Sequence, residues 1–366
     1  MSGQQTSPPP PPIEIGRVWD LLKGNEITAL DDEESTSFDN AARIVRFSSD
    51  SRKIIIGCTN DRVFIWDWQN HDVPLKSVTL PAVRTVEITC DGNMTYTCSE
   101  DATVCQIDLG SLKVSTVCQG RIPVVITPDG KAILFRKVSD NSLIYYEFST
   151  DSVVAYIEGH PDASIITAID ITTDGKLVLS GSSSGTISLV DLKSSNVVQT
   201  FGVTEAGVGI RLVSVLSDVA HFVFVDEGNR VVLRTFNNKE AELVLDQPAV
   251  KVTCITTHSG KYVFLGCENG ELLLFDIYAT QYKYNHQAHS EAVSQVKSNP
   301  TGFLHLLVSG SASGRVTLWC VSKTVPPLWS QIWSHDNVYP HLIADVAFVP
   351  HSEDIVIGSC YDSKVS

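Results

Sequence analysis

One segment, Gly159–Phe201, recurs in outline along most of the chain, and this repetition limits the possible folds more than any other feature. It reads GHPDASIITAIDITTDGKLVLSGSSSGTISLVDLKSSNVVQTF. Four short apolar runs, Ile165–Ile171, Leu177–Ser180, Thr186–Leu192 and Val197–Phe201, are separated by turn residues at Thr173-Asp174-Gly175, Ser182–Gly185 and Lys193–Asn196. Alternating β-branched residues between such turns predict an antiparallel meander of four strands. A sheet of that kind has two apolar faces and buries them only between copies of itself. The copies are marked by their first turns, at Asp50-Ser51, Asp91-Gly92, Asp129-Gly130, Asp174-Gly175, Ser217-Asp218, Ser259-Gly260, Thr301-Gly302 and Ser352-Glu353. Those turns lie 38 to 51 residues apart.

The third strand repeats too, as VFIWD (Val63–Asp67), VCQID (Val104–Asp108), LIYYE (Leu143–Glu147), ISLVD (Ile187–Asp191), LLLFD (Leu272–Asp276) and VTLWC (Val316–Cys320). With Gly159-His160 ahead of one copy, this pattern resembles the WD-repeat family of β-propellers. Blades in that family run about 40 to 45 residues, with Gly-His near the start and Trp-Asp closing the third strand. Trp19-Asp20 and Trp66-Asp67 match the closing pair, Asp108, Asp191 and Asp276 keep the acid, and Trp319 keeps the Trp. His289 and His335 echo His160. The family's Asp before strand three is matched by Asp101 and Asp140 and replaced by Asn60, Asn269, Ser184 and Ser313. The resemblance implies a His that bonds this Asp and the Trp of its blade. Blade four sets His160 against Ser184 and Val190, so a partial, local network is expected there. Blade five, around Phe222–Phe236, is assigned by spacing and turn position alone.

The expected fold is all-β, a closed β-propeller of four-stranded antiparallel blades, eight in number, with seven as the alternative. Gly16–Leu22 and Glu26–Leu30 read as third and fourth strands with nothing before them, whereas Ala344–Val349 and Asp354–Ser359 read as first and second strands near the other end. Pairing the two ends in one closing blade would remove a bare sheet edge. Asp362–Ser366 competes with Gly16–Leu22 for the third-strand place, so the chain end is displaced or the sequence is part of a longer product. Residues 1–12, with Pro8–Pro12, read as a solvated tail, a polyproline ligand being the alternative, and 13–366 as one propeller.

Hydrophobic residues make up 43% and charged residues 19%, enough apolar material for a buried core, and the net charge is −15. That charge argues against nonspecific binding to nucleic acid or anionic membrane while leaving room for a local basic patch. No apolar run reaches the ~18 residues of a membrane span, and the polar N-terminus lacks a signal-peptide core. Nine cysteines without a C-x-x-C pair suggest a reducing compartment, cytoplasm or nucleus. The acidic run Asp31–Glu34, followed by Ser35–Ser37, reads as a solvated connection; docking of a basic peptide or phosphorylation beside the acids are the alternatives.

Catalytic signatures are missing. There is no G-x-S-x-G, no phosphate loop and no H-E-x-x-H. Cys58, Cys267 and Cys360 share one register in different blades, and Cys90, Cys98, Cys105 and Cys118 lack the tight spacing of zinc sites, so core positions are expected. Asp67, Asp108, Asp191 and Asp276 recur once per blade, the mark of structural turns. No Arg follows either Trp-Asp pair at the place used by ubiquitin-ligase receptors of the family, and Phe135-Arg136-Lys137-Val138 lacks the Gly of its phosphoinositide binders.

The expectation is therefore a scaffold that binds partner proteins or peptides through loops on one face, with no catalytic residue, cofactor or metal. Trp68, Trp329, Trp333 and Tyr339 are the candidate anchors, the last three from the stretch Val325–Pro340. For Trp329 and Trp333 a place in a fourth-strand core is the alternative. Two other readings are an enzyme or small-ligand binder using the central channel, and a nucleic-acid-associated complex subunit. The first is opposed by mostly apolar or hydroxylic inner strands (Ile165–Ile171, Val250–Thr256, Ala344–Val349), the second by the acidic charge.

Overall fold

The computed structural model describes residues 13–20, 25–32, 42–48, 50–58, 61–70, 75–81, 83–89, 92–158, 160, 163–202, 208–237, 242–279, 283–299, 305–322, 328–335, 342–348 and 355–361. All regular structure among them is β. Seven antiparallel sheets of four consecutive strands span 42–79, 83–119, 121–157, 166–202, 210–246, 252–287 and 293–335, and are numbered one to seven here. A further sheet has the order Asn25–Asp32, Ile13–Asp20, Ile355–Tyr361, Leu342–Phe348, so strands from the two chain ends share it. Gly16 pairs with Ser359 and Asp20 with Ile355 at the junction. The residues 362–366, which competed for that place in the sequence, lie outside the described residues, as do the proline tail and Glu33–Ser37.

Burial follows the order of strands within each sheet. Second and third strands are almost wholly buried, as in Lys53–Cys58 and Arg62–Asp67, whereas the fourth strands Lys76–Thr79 and Asn196–Gly202 are largely exposed. The first strands are therefore innermost and the fourth outermost. Apolar clusters lie between neighbouring sheets: Ile55, Val63 and Val83 between sheets one and two, and Leu179, Phe222 and Phe224 between four and five. Val18 joins Val45 and Ile54 between the shared sheet and sheet one, while Ile343 and Val346 join Val308 and Leu318 between it and sheet seven. This is propeller architecture, with a core distributed through the interfaces between blades.

Two local devices let the blades approach. In most sheets the first strand carries a β-bulge one residue in, between Ala42 and Ile44, Val83 and Thr85, Ile166 and Ala168, Ile210 and Leu212, and Val252 and Cys254. A bulge turns the extra residue away from the ladder and sharpens the local twist. At the end of strand two, a glycine receives the next blade. A Cβ on Gly181 would meet Ile210 Cγ2 at 2.5 Å, and one on Gly310 would meet Ile343 Cγ2 at 2.6 Å. The sequence trait that marks strand two, Gly between small residues (Ser180-Gly181-Ser182, Ser309-Gly310-Ser311), is thus a packing requirement.

The two ends of the stack differ. At the lower end strand one turns into strand two through a repeated hydroxyl–Asp turn. Thr172 Oγ1 donates to Asp174 Oδ1 at 2.7 Å while Lys176 N donates to the same oxygen at 3.1 Å, and Ser48–Asp50–Arg52 and Thr127–Asp129–Lys131 repeat the arrangement. At the upper end, strand two turns into strand three and each sheet connects to the next.

Candidate interaction face

The upper end is held rigid by backbone bonds between these two sets of loops. Ser183 N donates to Ile165 O, Glu227 N to Gly209 O, Glu268 N to Lys251 O and Ala312 N to Ala292 O, all at 2.8–2.9 Å. Each bond ties a strand-two-to-three turn to the connection entering the same sheet. The turns contain a residue at positive φ, at Asp61, Ala102, Asn141, Gly185, Asn229, Gly270 and Gly314. At Gly270 the close approach also demands glycine, since a Cβ would lie 2.1 Å from His289 O. Pinned loops of this kind give up little ordering entropy on binding.

Exposed apolar side chains gather at this end on sheets three and four. Tyr156 is 60% exposed with Lys137 Nζ 4.7 Å from its ring centroid, Val138 lies in the adjacent turn, and Ile122 and Ile165 stand at the starts of first strands. Eight of the twelve arginines, Arg43, Arg62, Arg84, Arg121, Arg136, Arg211, Arg230 and Arg315, also belong to the upper loops and strand ends. Arg43 and Arg84 occupy the same bulge position in neighbouring sheets and share one carboxylate oxygen, Glu100 Oε1, at 2.6 and 3.0 Å. Burial lowers the Arg136 guanidinium from its ordinary value, and Arg121 pushes in the same direction. These loops mix arginines with carboxylates: Glu100 pairs with both Arg43 and Arg84, Asp140 with Lys137, and Asp226 with Arg230.

The repeat residues are found in turns and cores. Asp101 Oδ1 accepts from Thr103 N, Asp108 Oδ1 from Gly110 N and Ser111 N, and Asp191 Oδ1 from Ser194 N and Oγ. Asp140 accepts from Lys137 Nζ and from the hydroxyl and N–H of Ser142, which hold its carboxyl far below the usual range. Asp276 accepts from Tyr278 N and pairs with Lys261 at 2.9 Å. Trp66 is buried in the first-sheet core and Asp67 closes the same strand; Trp19 and Asp20 pair with Glu26 and Asn25.

His160 and His289 make local networks. His160 Nδ1 lies 2.7 Å from Thr186 Oγ1 and its Nε2 3.2 Å from Ser180 Oγ, while Thr186 and Ser184 reach Ser182 at 2.8 Å. His289 Nε2 lies 2.7 Å from Ser309 Oγ, which also accepts from Trp319 Nε1 at 2.9 Å. The His and Trp of sheet seven therefore share a serine. The sequence singled out neither Ser180 nor Ser309, although the Ser-Gly-Ser repeat marks both.

The nominated anchors need correction. Trp68 is only 6% exposed, packs in the first-sheet core and donates Nε1 to Ser51 O at 2.8 Å, at the lower end. Trp329 and Trp333 belong to the fourth strand Trp329–His335 rather than to a loop. Trp329 stacks on His286 (5.5 Å, 8°) and meets Phe264 and Trp319 edge-on, and Trp333 packs against the core between sheet seven and the shared sheet. Tyr339 lies outside the described residues. The aromatic content of 325–340 serves the seam between blades, at least for these two Trp residues.

The innermost strands also depart from expectation. Arg46, Glu87 and Asp345 come from three adjacent sheets: Arg46 Nη1 to Asp345 Oδ2 is 2.9 Å, and Arg46 Nη2 to Glu87 Oε1 is 3.5 Å. Asp345 also accepts from Val45 N and Val346 N, and Asp170 from Ile171 N and from Val215 N of the next sheet. Burial lowers Arg46, but Glu87 and Asp345 outweigh it and keep the guanidinium raised; burial raises Glu87 and Asp170 from their ordinary values. The alternation that placed these strands as apolar or hydroxylic missed carboxylates that staple neighbouring blades.

Cys58, Cys98, Cys105 and Cys267 are buried free thiols, burial pushes Cys98 up to about 11 and Cys118 up to about 12, and no group of three His, Cys, Asp or Glu among the described residues is placed to hold a metal. No described helix is long and apolar enough to cross a membrane.

The family model described as "WD domain, G-beta repeat" matches residues 151–191 and 280–320, which include the third strands ISLVD and VTLWC. The crystal structure of the computationally designed Ika8 protein is similar over 89% of this chain and 95% of that chain, with a TM-score of 0.71 and 15% identity. At that identity the likeness concerns the fold alone. No curated protein matches the sequence.

Proposed function

The chain belongs to the WD-repeat family, and on that premise we propose that it is a non-catalytic interaction platform whose upper end binds partner proteins or peptides. WD-repeat propellers typically serve as protein-interaction scaffolds. The observation that carries the reading here is the group of exposed apolar residues, Ile122, Val138, Tyr156 and Ile165, set among arginines on loops pinned by backbone bonds. Exposed apolar side chains rimmed by polar ones mark contact surfaces, and Tyr and Arg are the residues that most often dominate binding energy.

In this reading the sheets close as an eight-bladed ring. Support comes from the sheet shared by the two chain ends and from the apolar clusters on both of its sides. The inner carboxylates act as staples between blades, which leaves them bonded rather than poised for acid–base chemistry. The free thiols suit a reducing compartment, cytoplasm or nucleus. The test is affinity purification of the tagged chain from its own cells, with Tyr156→Ala and Val138→Asp beside Val198→Asp on an outer strand. A stoichiometric partner lost with the first two and kept with the third supports the platform. A partner indifferent to all three, or none with a folded chain, refutes it.

A further inference from the structure

We propose that the cleft between sheets five and six at the upper end is a subsite for an aspartate or glutamate side chain of a bound peptide, received by Arg211 and Lys251. The proposal rests on the platform reading and names the chemistry of one of its contacts.

The cleft has a volume of about 510 Å³ and is lined by Arg211, the turn Glu227-Gly228-Asn229, and the connection from Gln247 to Lys251. Its walls are built around Asn229, held at φ 65°. The Asn229 amide nitrogen donates to Pro248 O and Val250 O, both at 2.7 Å, and its oxygen accepts from Val252 N and Arg211 Nη2, both at 2.9 Å. Gln247 Nε2 closes the rim on Gly228 O at 3.3 Å. One asparagine thus locks a turn of sheet five to the connection entering sheet six, and the cavity exists before any ligand arrives. Preformed walls of this sort favour binding by sparing the cost of ordering them.

Arg211 makes one side-chain hydrogen bond, to Asn229, and no ion pair among the described residues. It occupies the bulge position between Ile210 and Leu212, where the sheets on either side carry threonine. Thr167 and Thr253 use their hydroxyls to clip the next blade, through Ile210 O and Val293 O. The Arg211 side chain instead lines the cleft. Its Nη2 reaches Asn229, and its Nε is enclosed with no hydrogen-bond partner among the described residues. Guanidinium presents a planar fork of donors that suits a carboxylate, and it keeps its charge at any working pH.

The local charges favour one occupant. Asp226 is committed to Arg230, through Nε at 2.8 Å and N at 2.9 Å, so Glu227 is the carboxylate among the lining residues, facing Arg211 and Lys251. Two cations against one anion leave room for a single added negative charge. A doubly charged phosphate would exceed that balance and be repelled by Glu227 more strongly than a singly charged carboxylate, which selects for the carboxylate.

The experiment is selection of a random 12-residue display library on the immobilised full chain, followed by fluorescence polarisation with the enriched synthetic peptide. The expected peptide has a fixed Asp or Glu. Arg211→Gln weakens it about tenfold or more, the loss that follows from one charge-assisted bond. Lys251→Gln weakens it less, and Arg52→Gln, in an exposed turn of the lower end, leaves it unchanged. Replacing the fixed acid by phosphoserine lowers affinity. Thermal unfolding checks Arg211→Gln, and Lys251→Gln disturbs no described side-chain bond, so the test does not hinge on one variant. An empty selection, enrichment without an acidic position, or affinity indifferent to both substitutions overturns the subsite. None of those results touches the platform reading, which stands or falls on the partner purified with the chain.

Discussion

Replacing Asp345 by alanine tests the seam between the shared sheet and sheet one. The carboxylate is 7% exposed and accepts from Arg46 Nη1 at 2.9 Å and Val45 N at 3.3 Å, both across the seam, and from Val346 N on its own strand. A charge-assisted bond contributes about 1.5–3 kcal/mol and an ordinary one about 1. Arg46 keeps Glu87 at 3.5 Å, so its charge is not stranded and the full 3–5 kcal/mol cost typical of a broken buried pair does not apply. The loss is therefore that of the bonds themselves, about 4 kcal/mol. Unfolding entropy of about 2.1 cal/mol/K per residue gives roughly 0.8 kcal/mol/K for a chain of this length, so Tm should fall about 5 °C. Asp170→Ala, which loses two backbone bonds and no ion pair, should cost about half as much. Scanning calorimetry reads both, and also reports whether the shared sheet melts separately, which would make a single Tm inapplicable. A drop under about 1 °C for Asp345→Ala, or one no larger than for Asp170→Ala, refutes the stapling argument.

Other outcomes follow from the same contacts. Ser309→Ala removes the oxygen shared by His289 and Trp319 and should cost about 2–3 kcal/mol in urea unfolding, against under 1 kcal/mol for exposed Ser115→Ala. Gly181→Ala forces a methyl against Ile210 Cγ2 and should cost about 1–3 kcal/mol, and Ile210→Ala, which removes that carbon, should cost less in the Gly181→Ala background than alone. Cys98 and Cys118, with thiols pushed up to about 11 and about 12, should resist iodoacetamide at pH 8 until the chain unfolds, as mass spectrometry of the native protein would show. The hydroxyls of Ser48 and Thr172 hold Asp50 and Asp174 below the ordinary carboxylate pKa of about 3.9. Their contribution is thus complete above that value and is lost as pH falls through the depressed values; Thr172→Val should flatten the acid limb of the Tm profile. Glu87 behaves oppositely: burial raises it, so its contribution declines as pH rises through the raised value, and Glu87→Gln should remove that slope.

Much of the fold was legible because blade architecture is written locally. Asp-Gly turns and alternating apolar residues each act within a few positions, so the turn Thr173-Asp174-Gly175 was marked in the sequence, whereas the packing role of Gly181 appears only where two blades meet. The shared sheet was legible for the same reason, since strands lacking partners at each end complement one another. The face was harder to read. Trp68 follows a strand and looks like a loop residue, yet the turn folds its indole back onto Ser51 O. Trp329 and Trp333 sit beside prolines that suggest a loop, but Trp329 is half-buried against His286 and Phe264, and Trp333 against the cluster of Leu318 and Ile343. Period-2 patterning could not show that Asp345 is neutralised by Arg46, about three hundred residues away and in the adjacent sheet. Nor could it show Arg211 at a bulge where neighbouring sheets have threonine, because register at the bulge appears only once strands are paired.

In the platform reading partners engage the upper end, and hydrogen–deuterium exchange on the purified complex against the free chain locates the contact. Protection is predicted in the strand-two-to-three turns and blade connections around Lys137–Asn141, Ile165 and Glu227–Asn229, with Asp129–Gly130 and Asp174–Gly175 at the opposite end unchanged. Protection confined to those lower turns, or to the innermost strands, would contradict it.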